Sequence, residues 1–542
     1  MTLKNNSMNK GSLRGILYCI MLLGFTQDIF AQKMTLRRGN WGDQLDGTYK
    51  NPIINADYSD PDVVRVGESF YMVCSEFHFM GMPILQSTDL VNWHIIGQVY
   101  RRLDIDDKYN TVDKYGAGSW APSLRYHDGK FYIYFCTPDE GLYMSIATNP
   151  AGPWAPLTNI KRVKGWEDPC PFWDADGNAY LGHSRLGAGP IIVHKLSADG
   201  RQLLDSGKTV YEGPVAEGTK FYKRNGYYYL IIPEGGVGTG YETALRAKSI
   251  YGPYERKIVL EQGKTKVNGP HQGGLVELPS GESWFIHFQD AGAIGRITHL
   301  EPVKWVDDWP VMGVDNNGNG IGEPVGVYRK PKINGRQKRV FIQTSDEFNS
   351  TSLGLQWQWN HNPVNDYWSL VQQKGYLALT AMNAADNKHA RNTLTQKLMG
   401  RLGMVTVKMN IGKMAVGQRA GLALIGNYIH EIGVLKTDTG TVVYADNIGK
   451  LTNGGIFNNE NIFLQVAIDL DGNTLLFYSL NGNEYHQLGE ACKLSNYNFW
   501  KAVRPALFSY NTENARGTAL FDWFHYTYDG TSPAPQVQQG PL

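Results

Sequence analysis

The 542-residue chain is poor in cysteine, carries little net charge and lacks an apolar run long enough to cross a bilayer comfortably. Four of its five cysteines lie beyond residue 31: Cys74, Cys136, Cys170 and Cys492. They are far apart and form no Cys-x-x-Cys pair, so they give little support to a zinc site and are predicted to be buried free thiols. The net charge of +1 argues against a nucleic-acid partner, which would require a basic surface.

The main apolar run, "ILYCIMLLGF", lies in an N-terminal segment with the pattern of a signal peptide. Lys4, Lys10 and Arg14 precede the run, and "IFA", ending at Ala31, resembles a peptidase cleavage site. Residues 1–31 are therefore predicted to be removed on export to the periplasm or the extracellular space. The mature chain is expected to have no membrane span.

Amphipathic helical periodicity is also missing, which argues against an α/β barrel with helices between its strands. Glycine is abundant instead, with 61 residues, and 12% of the chain is aromatic, as expected of short strands joined by tight turns. One layout, an apolar strand, a glycine turn and an aromatic-rich strand, occurs five times. The five copies are "DPDVVRVGESFYMV", "APSLRYHDGKFYIY", "DPCPFWDADGNAYLG", "EGTKFYKRNGYYYLI" and "HQGGLVELPSGESWFI".

Each copy predicts a β-hairpin, and a third strand follows most of them. Repetition of a four-stranded unit every 48 to 62 residues predicts a five-bladed β-propeller over residues 32–335. A basic stretch then indicates a linker, and residues 340–530 predict a second all-β region, a β-sandwich. Residues 531–542 are predicted to be disordered. The expected fold class is therefore all-β, a five-bladed propeller followed by a sandwich.

Acidic side chains stand where a propeller would bring distant strands together. The innermost strands of a propeller run in the same sense along its central channel, so their starts converge on one face. Crowded like charges destabilise a fold, but they separate the pKa values of an acid and a base. Glycoside hydrolysis requires such a pair of carboxyl groups. Aligned on their hairpins, the five units start at Asp60, Pro122, Asp168, Glu217 and His271.

These motifs resemble glycoside hydrolase family 43 in its long form, which has a C-terminal concanavalin A-like sandwich. The resemblance covers nearly all of the mature chain and rests on "NPIINADYSDPDVVRVGESFYMV", "WEDPCPFWDADGNAYL" and "VAEGTKFYKRNGYYYLI". It implies an inverting mechanism in which Asp60 is the general base, Glu217 the general acid and Asp168 the residue that keeps the pKa of the acid raised. Glu167 is the nearest rival of Asp168. The chain departs from many members at "EGTK", which affects the leaving-group pocket.

The resemblance also assigns four residues to substrate binding. "EFHFMGMPI" supplies Phe79, "GSWAPSLRYHDGKFY" supplies Trp120, "GPHQGG" supplies His271 and "GRITHLEPVKW" supplies Arg296. Structural alternatives stand beside these roles: a channel histidine can satisfy buried hydrogen bonds, an arginine can pair with a carboxylate, and a tryptophan can pack between sheets.

No cofactor is required for this chemistry, and Ca²⁺ is the metal that the resemblance implies, as a structural ion in the sandwich. Asp346 in "SDEFN" and Asp522 in "ALFDWFHY" lie near the two ends of the predicted sandwich. Carboxylate oxygens are ligands that calcium prefers. Two strand-edge acids without a metal are the alternative interpretation.

The predicted function is exo-acting hydrolysis that releases terminal α-L-arabinofuranose or β-D-xylose from hemicellulose polysaccharides or oligosaccharides. An endo-arabinanase, a retaining hydrolase of the sucrose-and-fructan type and a non-catalytic carbohydrate-binding propeller are the alternatives. The retaining type would carry "NDPNG" where this chain has "SDPDV". A binding protein has no need of three acids at the strand starts.

Overall fold

The computed structural model of the protein describes residues 41–333, 335, 339–496, 501–513 and 516–530. The predicted signal peptide and C-terminal tail lie outside the described residues. Within these residues the helical elements are three short 3-10 turns: Asp107–Asn110, Gly292–Ile294 and Asn365–Tyr367. None of them has the length or apolar character that crossing a membrane would require. The remainder is strands, turns and loops, so the predicted all-β class is confirmed.

Two short strands, β1 (Gly42–Asp43) and β2 (Thr48–Lys50), precede five four-stranded antiparallel sheets. The first sheet contains β3 (Asp62–Val66), β4 (Ser69–Val73), β5 (Pro83–Ser87) and β6 (His94–Gln98). The second contains β7 (Trp120–His127), β8 (Lys130–Thr137), β9 (Gly141–Ala147) and β10 (Thr158–Lys161). The third contains β11 (Trp166–Trp173), β12 (Ala179–Arg185), β13 (Ile191–Leu196) and β14 (Lys208–Tyr211).

The last two sheets have the same plan, with strands paired in chain order. The fourth contains β15 (Lys220–Arg224), β16 (Tyr227–Glu234), β17 (Tyr241–Ala247) and β18 (Glu255–Leu260). The fifth contains β19 (His271–Glu277), β20 (Ser283–Asp290), β21 (Arg296–Val306) and β22 (Trp309–Met312). A further strand, β23 (Val327–Arg329), pairs with β2 and so joins the segment after the fifth sheet to the segment before the first.

The five predicted glycine turns are the turns that join the first two strands of each sheet. Their backbones all have φ between 62° and 85°, a region that side chains with a Cβ rarely adopt. Glycine at these positions fixes where each hairpin reverses, and the predicted five-fold repeat of hairpins is confirmed. The residues are Gly67, Gly129, Gly177, Gly226 and Gly281.

The first strands of neighbouring sheets lie against one another. β3 contacts β7, β7 contacts β11, and β11 contacts β15. β19 contacts both β16 of the fourth sheet and β3 of the first sheet. The first and fifth sheets are therefore neighbours, although 172 residues, 99–270, separate them in the chain.

The C-terminal region consists of two packed sheets. Its strands are β24 (Gln358–Trp359), β25 (Trp368–Ser369), β26 (Leu377–Thr380), β27 (Met382–Asn383), β28 (Leu394–Thr395), β29 (Leu402–Asn410), β30 (Gln418–Ile425), β31 (Ile429–Thr437), β32 (Gly440–Asn447), β33 (Lys450–Phe457), β34 (Asn461–Asp469), β35 (Leu475–Ser479), β36 (His486–Gln487), β37 (Arg504–Asn511) and β38 (Thr518–Tyr528).

One of these sheets has the order β24-β28-β37-β30-β31-β32-β33, with β27 beside β37, and the other has the order β25-β26-β38-β29-β34-β35-β36. The sheets face each other, because β30 contacts β34 and β31 contacts β35 across the space between them. Buried apolar side chains such as Leu422, Val434 and Val466 fill that space. The predicted sandwich is therefore confirmed.

Charged side chains of the sandwich are buried against the first sheet of the N-terminal region. The fully buried carboxylate of Glu76 lies 2.7 Å from Lys397 and 3.1 Å from Arg504. Asp57, also fully buried, lies 3.7 Å from Lys501. Burial opposes ionisation of Asp57, but the surrounding cations lower the pKa of its carboxyl group. Because buried charges are tolerated only with partners, these contacts hold the two regions in one arrangement.

Replacing Glu76 by glutamine should strongly destabilise the protein, because Lys397 and Arg504 would remain buried without their counter-charge. The expected loss in the free energy of unfolding is about 3–5 kcal/mol, measured by urea denaturation. Glu490→Gln is the matched control, because it removes the exposed partner of Lys450 and should leave the denaturation midpoint unchanged. Equal midpoints for the two variants would show that the buried cluster does not join the regions.

Candidate active site

Each first strand begins next to a residue with a left-handed backbone. Left-handed conformations of residues other than glycine cost about 1–3 kcal/mol and concentrate at functional sites. Pro122, Glu217 and His271, which the hairpin alignment gave as starts, each lie one residue away from the equivalent left-handed position. The five positions and their φ angles are Asp60 (51°), Ala121 (38°), Asp168 (56°), Gly218 (64°) and Gln272 (41°).

Asp60 is buried and is held by three hydrogen-bond donors. Its Oδ1 accepts from Nη1 of Arg296 at 2.9 Å, and its Oδ2 accepts from the hydroxyl groups of Ser59 and Ser75. The guanidinium of Arg296 also lies 4.5 Å from the centre of the Phe288 ring. The structure thus places Arg296 against the predicted base, and the donors fix the orientation of the Asp60 carboxylate.

Three further carboxyl groups form a cluster at the starts of the third and fourth sheets. Glu167, Asp168 and Glu217 each offer an oxygen atom, and these atoms lie within 4.8 Å of one another. Glu217 Oε1 lies 3.0 Å from Nε2 of His271, and the Glu217 side chain is 21% exposed. Glu167 and Asp168 are at most 6% exposed. Glu217 is therefore the member of this cluster that a ligand can reach.

Asp168 is the most strongly held carboxyl group of the cluster. Its Oδ2 accepts from the backbone N–H of Gly218 at 2.7 Å and from the Ser184 hydroxyl at 3.0 Å. Its Oδ1 accepts from Nε2 of Gln272 at 3.3 Å. These donors come from the third, fourth and fifth sheets, so Asp168 connects three sheets at one point.

Burial and like charge keep protons in this cluster. Burial, together with the charge of Glu217, raises the pKa of Asp168 to about 6, although the Gly218 N–H opposes the change. Burial and the charges of Asp168 and Glu217 raise the pKa of Glu167 to about 9. The charge of Asp60 also raises the pKa values of Asp168 and Glu167. The four carboxyl groups therefore form one electrostatic site, which retains a proton at neutral pH.

The two aromatic residues predicted to bind a sugar occupy different environments. Phe79 is fully buried, and the guanidinium of Arg504 lies 3.7 Å from the centre of its ring. Its ring presents no face to a sugar, so the predicted binding role of Phe79 does not fit its position. Trp120 is partly exposed and precedes Ala121, whose N–H donates to the Ser75 hydroxyl at 2.7 Å. The backbone next to Trp120 is therefore linked to Asp60 through Ser75, and the Trp120 ring packs edge-on against Phe77.

Sequence reasoning missed the residues that support the acids. Gln272 follows His271 directly, and its place in the repeat was a signal that could have identified it. Ser75 and Ser184 carry no such signal, because nothing in a hairpin pattern marks one hydroxyl group as a partner of an acid. The sandwich contributes Lys501, which donates to the backbone oxygen of Ser75 at 3.3 Å, and burial lowers the pKa of its amino group to about 8.

The two acids predicted to hold calcium are engaged by protein donors. Oδ2 of Asp346 accepts from the Trp357 indole at 2.8 Å and from the Gln356 amide at 3.3 Å. Asp522 pairs with Lys408 at 2.7 Å. Neither acid belongs to a group of three or more potential ligands in the part of the chain that the structure describes. Calcium needs six to eight oxygen ligands, so these surroundings do not favour the predicted ion.

Clustered carboxyl groups on an all-β scaffold, one of them accessible and the others buried, define the class of this protein as a glycoside hydrolase. The chain belongs to glycosyl hydrolases family 43, whose family model matches residues 49–310. A second model, the beta xylosidase C-terminal concanavalin A-like domain, matches residues 345–527. The predicted family and the predicted enzyme class are confirmed.

Individual relatives agree with this membership. A protein of Xylanibacter ruminicola, provisionally named beta-xylosidase, is 54% identical over 465 residues, which is 86% of each chain. A non-reducing end alpha-L-arabinofuranosidase of Bacteroides ovatus is 32% identical over 63% of this chain and 66% of its own length. The solved structure of a family 43 protein from Bacillus licheniformis has a TM-score of 0.78 and 28% identity, covering 88% of this chain and 99% of that chain.

Asp168→Asn should raise the thermal midpoint of unfolding at about pH 7.5 by a few degrees and leave it unchanged at about pH 3. The folded pKa of about 6 exceeds the ordinary value of 3.8, so between these values the folded state keeps a proton that the unfolded state has lost. The ionised carboxylate therefore lowers stability fully above pH 6, and this cost disappears as the pH falls below 3.8. Scanning calorimetry at both pH values measures the effect.

Exposed Asp438→Asn is the control, and a lower midpoint of Asp168→Asn at neutral pH would contradict the proposed electrostatics.

Proposed function

We propose that this protein is an exo-acting, inverting hydrolase that removes terminal β-D-xylose and α-L-arabinofuranose from hemicellulose-derived chains. The observation that carries the proposal is the convergence of Asp60, Asp168 and Glu217 from three different sheets on one electrostatic site. A structural role would not require this arrangement, because buried like charges lower stability.

The proposal includes closure of the five sheets into a five-bladed propeller. Contacts between successive first strands, and the contact of β19 with β3, support a ring with one first strand per blade. The left-handed starts of these strands would then surround one end of a central channel. Such a ring explains how residues more than one hundred positions apart act on one another.

Glu217 is proposed as the general acid. It is the exposed member of the carboxyl cluster, so it can reach the oxygen of a leaving group. Nε2 of His271 lies 3.0 Å from Oε1 of Glu217 and fixes the position of the carboxyl group. Asp168 has the role of a modulator, because its own contacts hold it beside Glu217 without access to solvent.

Asp60 is proposed as the general base that activates water. It lies outside the carboxyl cluster of Glu167, Asp168 and Glu217 in the described residues, and donors of a different set hold it. An inverting enzyme needs about 6.5–9.5 Å between its two carboxyl groups so that water fits between them. The separate placement of Asp60 supports this type of mechanism. Arg296 would keep the base in position rather than bind the sugar.

The substrate assignment rests on similarity. The relatives described above are named for xyloside or arabinofuranoside hydrolysis, and the sandwich matches a domain named for beta-xylosidases. Sugars of both kinds are pentoses, and Trp120 is a partly exposed aromatic residue whose neighbour Ala121 is linked to Asp60 through Ser75. Export to the periplasm or beyond belongs to the same proposal and is supported by the pattern of residues 1–31.

Asp60→Asn and Glu217→Gln should each lower the hydrolysis of xylobiose and of alkyl α-L-arabinofuranosides, whose leaving groups must be protonated, by about 10²–10⁴-fold, because each removes a proton-transfer group. Glu167→Gln is the matched control. The pKa of Glu167 is about 9, so its carboxyl group is already neutral at pH 7, and the amide should leave the rate within a few-fold of the wild type. Steady-state kinetics checks all three variants. If Asp60→Asn and Glu217→Gln retain the wild-type rate, the assigned roles are wrong.

The products should be single pentoses with inverted configuration at the anomeric carbon. Proton NMR during hydrolysis of a β-xyloside should show α-xylose as the first anomer, before mutarotation. Arabinoxylan, arabinan and xyloglucan oligosaccharides should release xylose or arabinose and no internal fragments, as measured by anion-exchange chromatography. Release of larger oligosaccharides would favour the endo-arabinanase alternative, and β-xylose as the first product would favour a retaining mechanism.

A further inference from the structure

A second group of potential ligands lies in the fifth sheet and has no part in the proposed catalysis. His287 is on β20, and His299 stands opposite it on β21 in the strand register. Glu301 follows two residues later, on the same face of β21. One ligand atom from each of the three side chains lies within 4.8 Å of the other two, and all three side chains are at most 2% exposed.

The hydrogen bonds of His287 set its tautomer. Its Nδ1 lies 3.1 Å from the backbone oxygen of Phe288, which can only accept, so Nδ1 carries the proton. In a neutral ring Nε2 then has a lone pair, and this atom faces Oε1 of Glu301 at 3.2 Å. Two acceptors face each other at this distance only when a proton or a cation lies between them. A histidine held through Nδ1 by a backbone oxygen is the usual arrangement of a metal ligand.

His299 provides an independent observation. Both of its ring nitrogen atoms are buried and have no hydrogen-bond partner in the described part of the chain. A buried imidazole left without partners costs stability. The buried pair of His183 and His194 in the third sheet is different, because their Nε2 atoms lie 3.1 Å apart and His194 also faces Asp205. His299 therefore has unused ligand capacity directed into the same space as His287 and Glu301.

We propose that His287, His299 and Glu301 bind one divalent transition-metal ion of the zinc type. Two imidazoles and one carboxylate match the ligands that zinc prefers, whereas calcium and magnesium prefer oxygen. Backbone and amide groups orient the carboxylate, because Oε2 of Glu301 accepts from the Val325 N–H at 2.8 Å and Oε1 accepts from the Asn51 amide at 3.2 Å. Water can supply a fourth ligand.

The position of the site indicates a structural role. Asn51 precedes the first sheet and Val325 follows the fifth, so Glu301 connects the beginning and the end of the five-sheet region. An ion that ties Glu301 to β20 would stabilise this junction. Because the ligands are buried, the ion would bind as the region folds, and its removal would lower stability.

The test uses the full mature chain, purified without a histidine tag after expression in medium containing zinc. Elemental analysis should find about one zinc per chain, and chelator treatment should lower the thermal midpoint by several degrees, with recovery on adding zinc. Cobalt added to the chelated wild-type protein should give visible absorption bands of a site with nitrogen ligands. These measurements on the wild type do not depend on whether a variant folds.

Variants separate this site from the catalytic acids. His299→Asn should lose the metal and the response to chelator, whereas His194→Asn, which alters the other buried histidine pair, should retain both. Glu217→Gln should also retain the metal, because the carboxyl cluster of the candidate active site is not the proposed site. Less than about 0.1 zinc per chain and no cobalt bands in wild type would overturn the proposal. Loss of metal in Glu217→Gln with retention in His299→Asn would overturn it as well.

Discussion

Keeping four carboxyl groups close together in a mostly buried site is the constraint on which the N-terminal region depends. Burial and like charge raise the pKa values of Asp168 and Glu167, so the site holds protons that an open surface would lose. The fold compensates with donors from separate sheets: Gly218 and Ser184 for Asp168, and Arg296 for Asp60. Since the donors to Asp168 come from the third, fourth and fifth sheets, loss of any of these sheets would remove part of its stabilisation. The geometry of the candidate active site and the stability of the fold therefore depend on the same contacts.

The repeat explains why the acids converge. Each unit has a glycine turn that fixes its hairpin and a left-handed residue at or near the start of its first strand. The glycine turns are readable in sequence because few other residues adopt their conformation. The acids at the strand starts could be predicted because Asp60 and Asp168 stand at equivalent positions of the repeat. The alignment was one residue off for Pro122, Glu217 and His271. In the second and fifth sheets the strand register is irregular at this point, and hairpin patterns do not record such an irregularity.

Other parts of the site could not be predicted from local patterns. Ser75 and Ser184 act through hydroxyl groups that look like any strand serine until the sheets are assembled. Phe79 is a different case, because the resemblance assigned its ring to sugar binding whereas Arg504 of the sandwich lies against that ring. The resemblance implied a calcium site at Asp346 and Asp522, but neighbouring side chains supply their partners. Each of these outcomes depends on contacts between residues far apart in the chain, which periodicity and composition do not encode.

The contact between the two regions shows that regions matched by separate family models can depend on each other for stability. Separate family models match the N-terminal and C-terminal regions. Yet Asp57 and Glu76 are buried acids of the first region whose counter-charges, Lys501, Lys397 and Arg504, all belong to the second. Without the sandwich these buried acids would lose their counter-charges. They lie close to Asp60: Asp57 accepts from the backbone N–H of Arg296, and Lys501 donates to the backbone oxygen of Ser75. The sandwich thus completes the electrostatics of the proposed base, and the N-terminal region is an energetic unit only together with it.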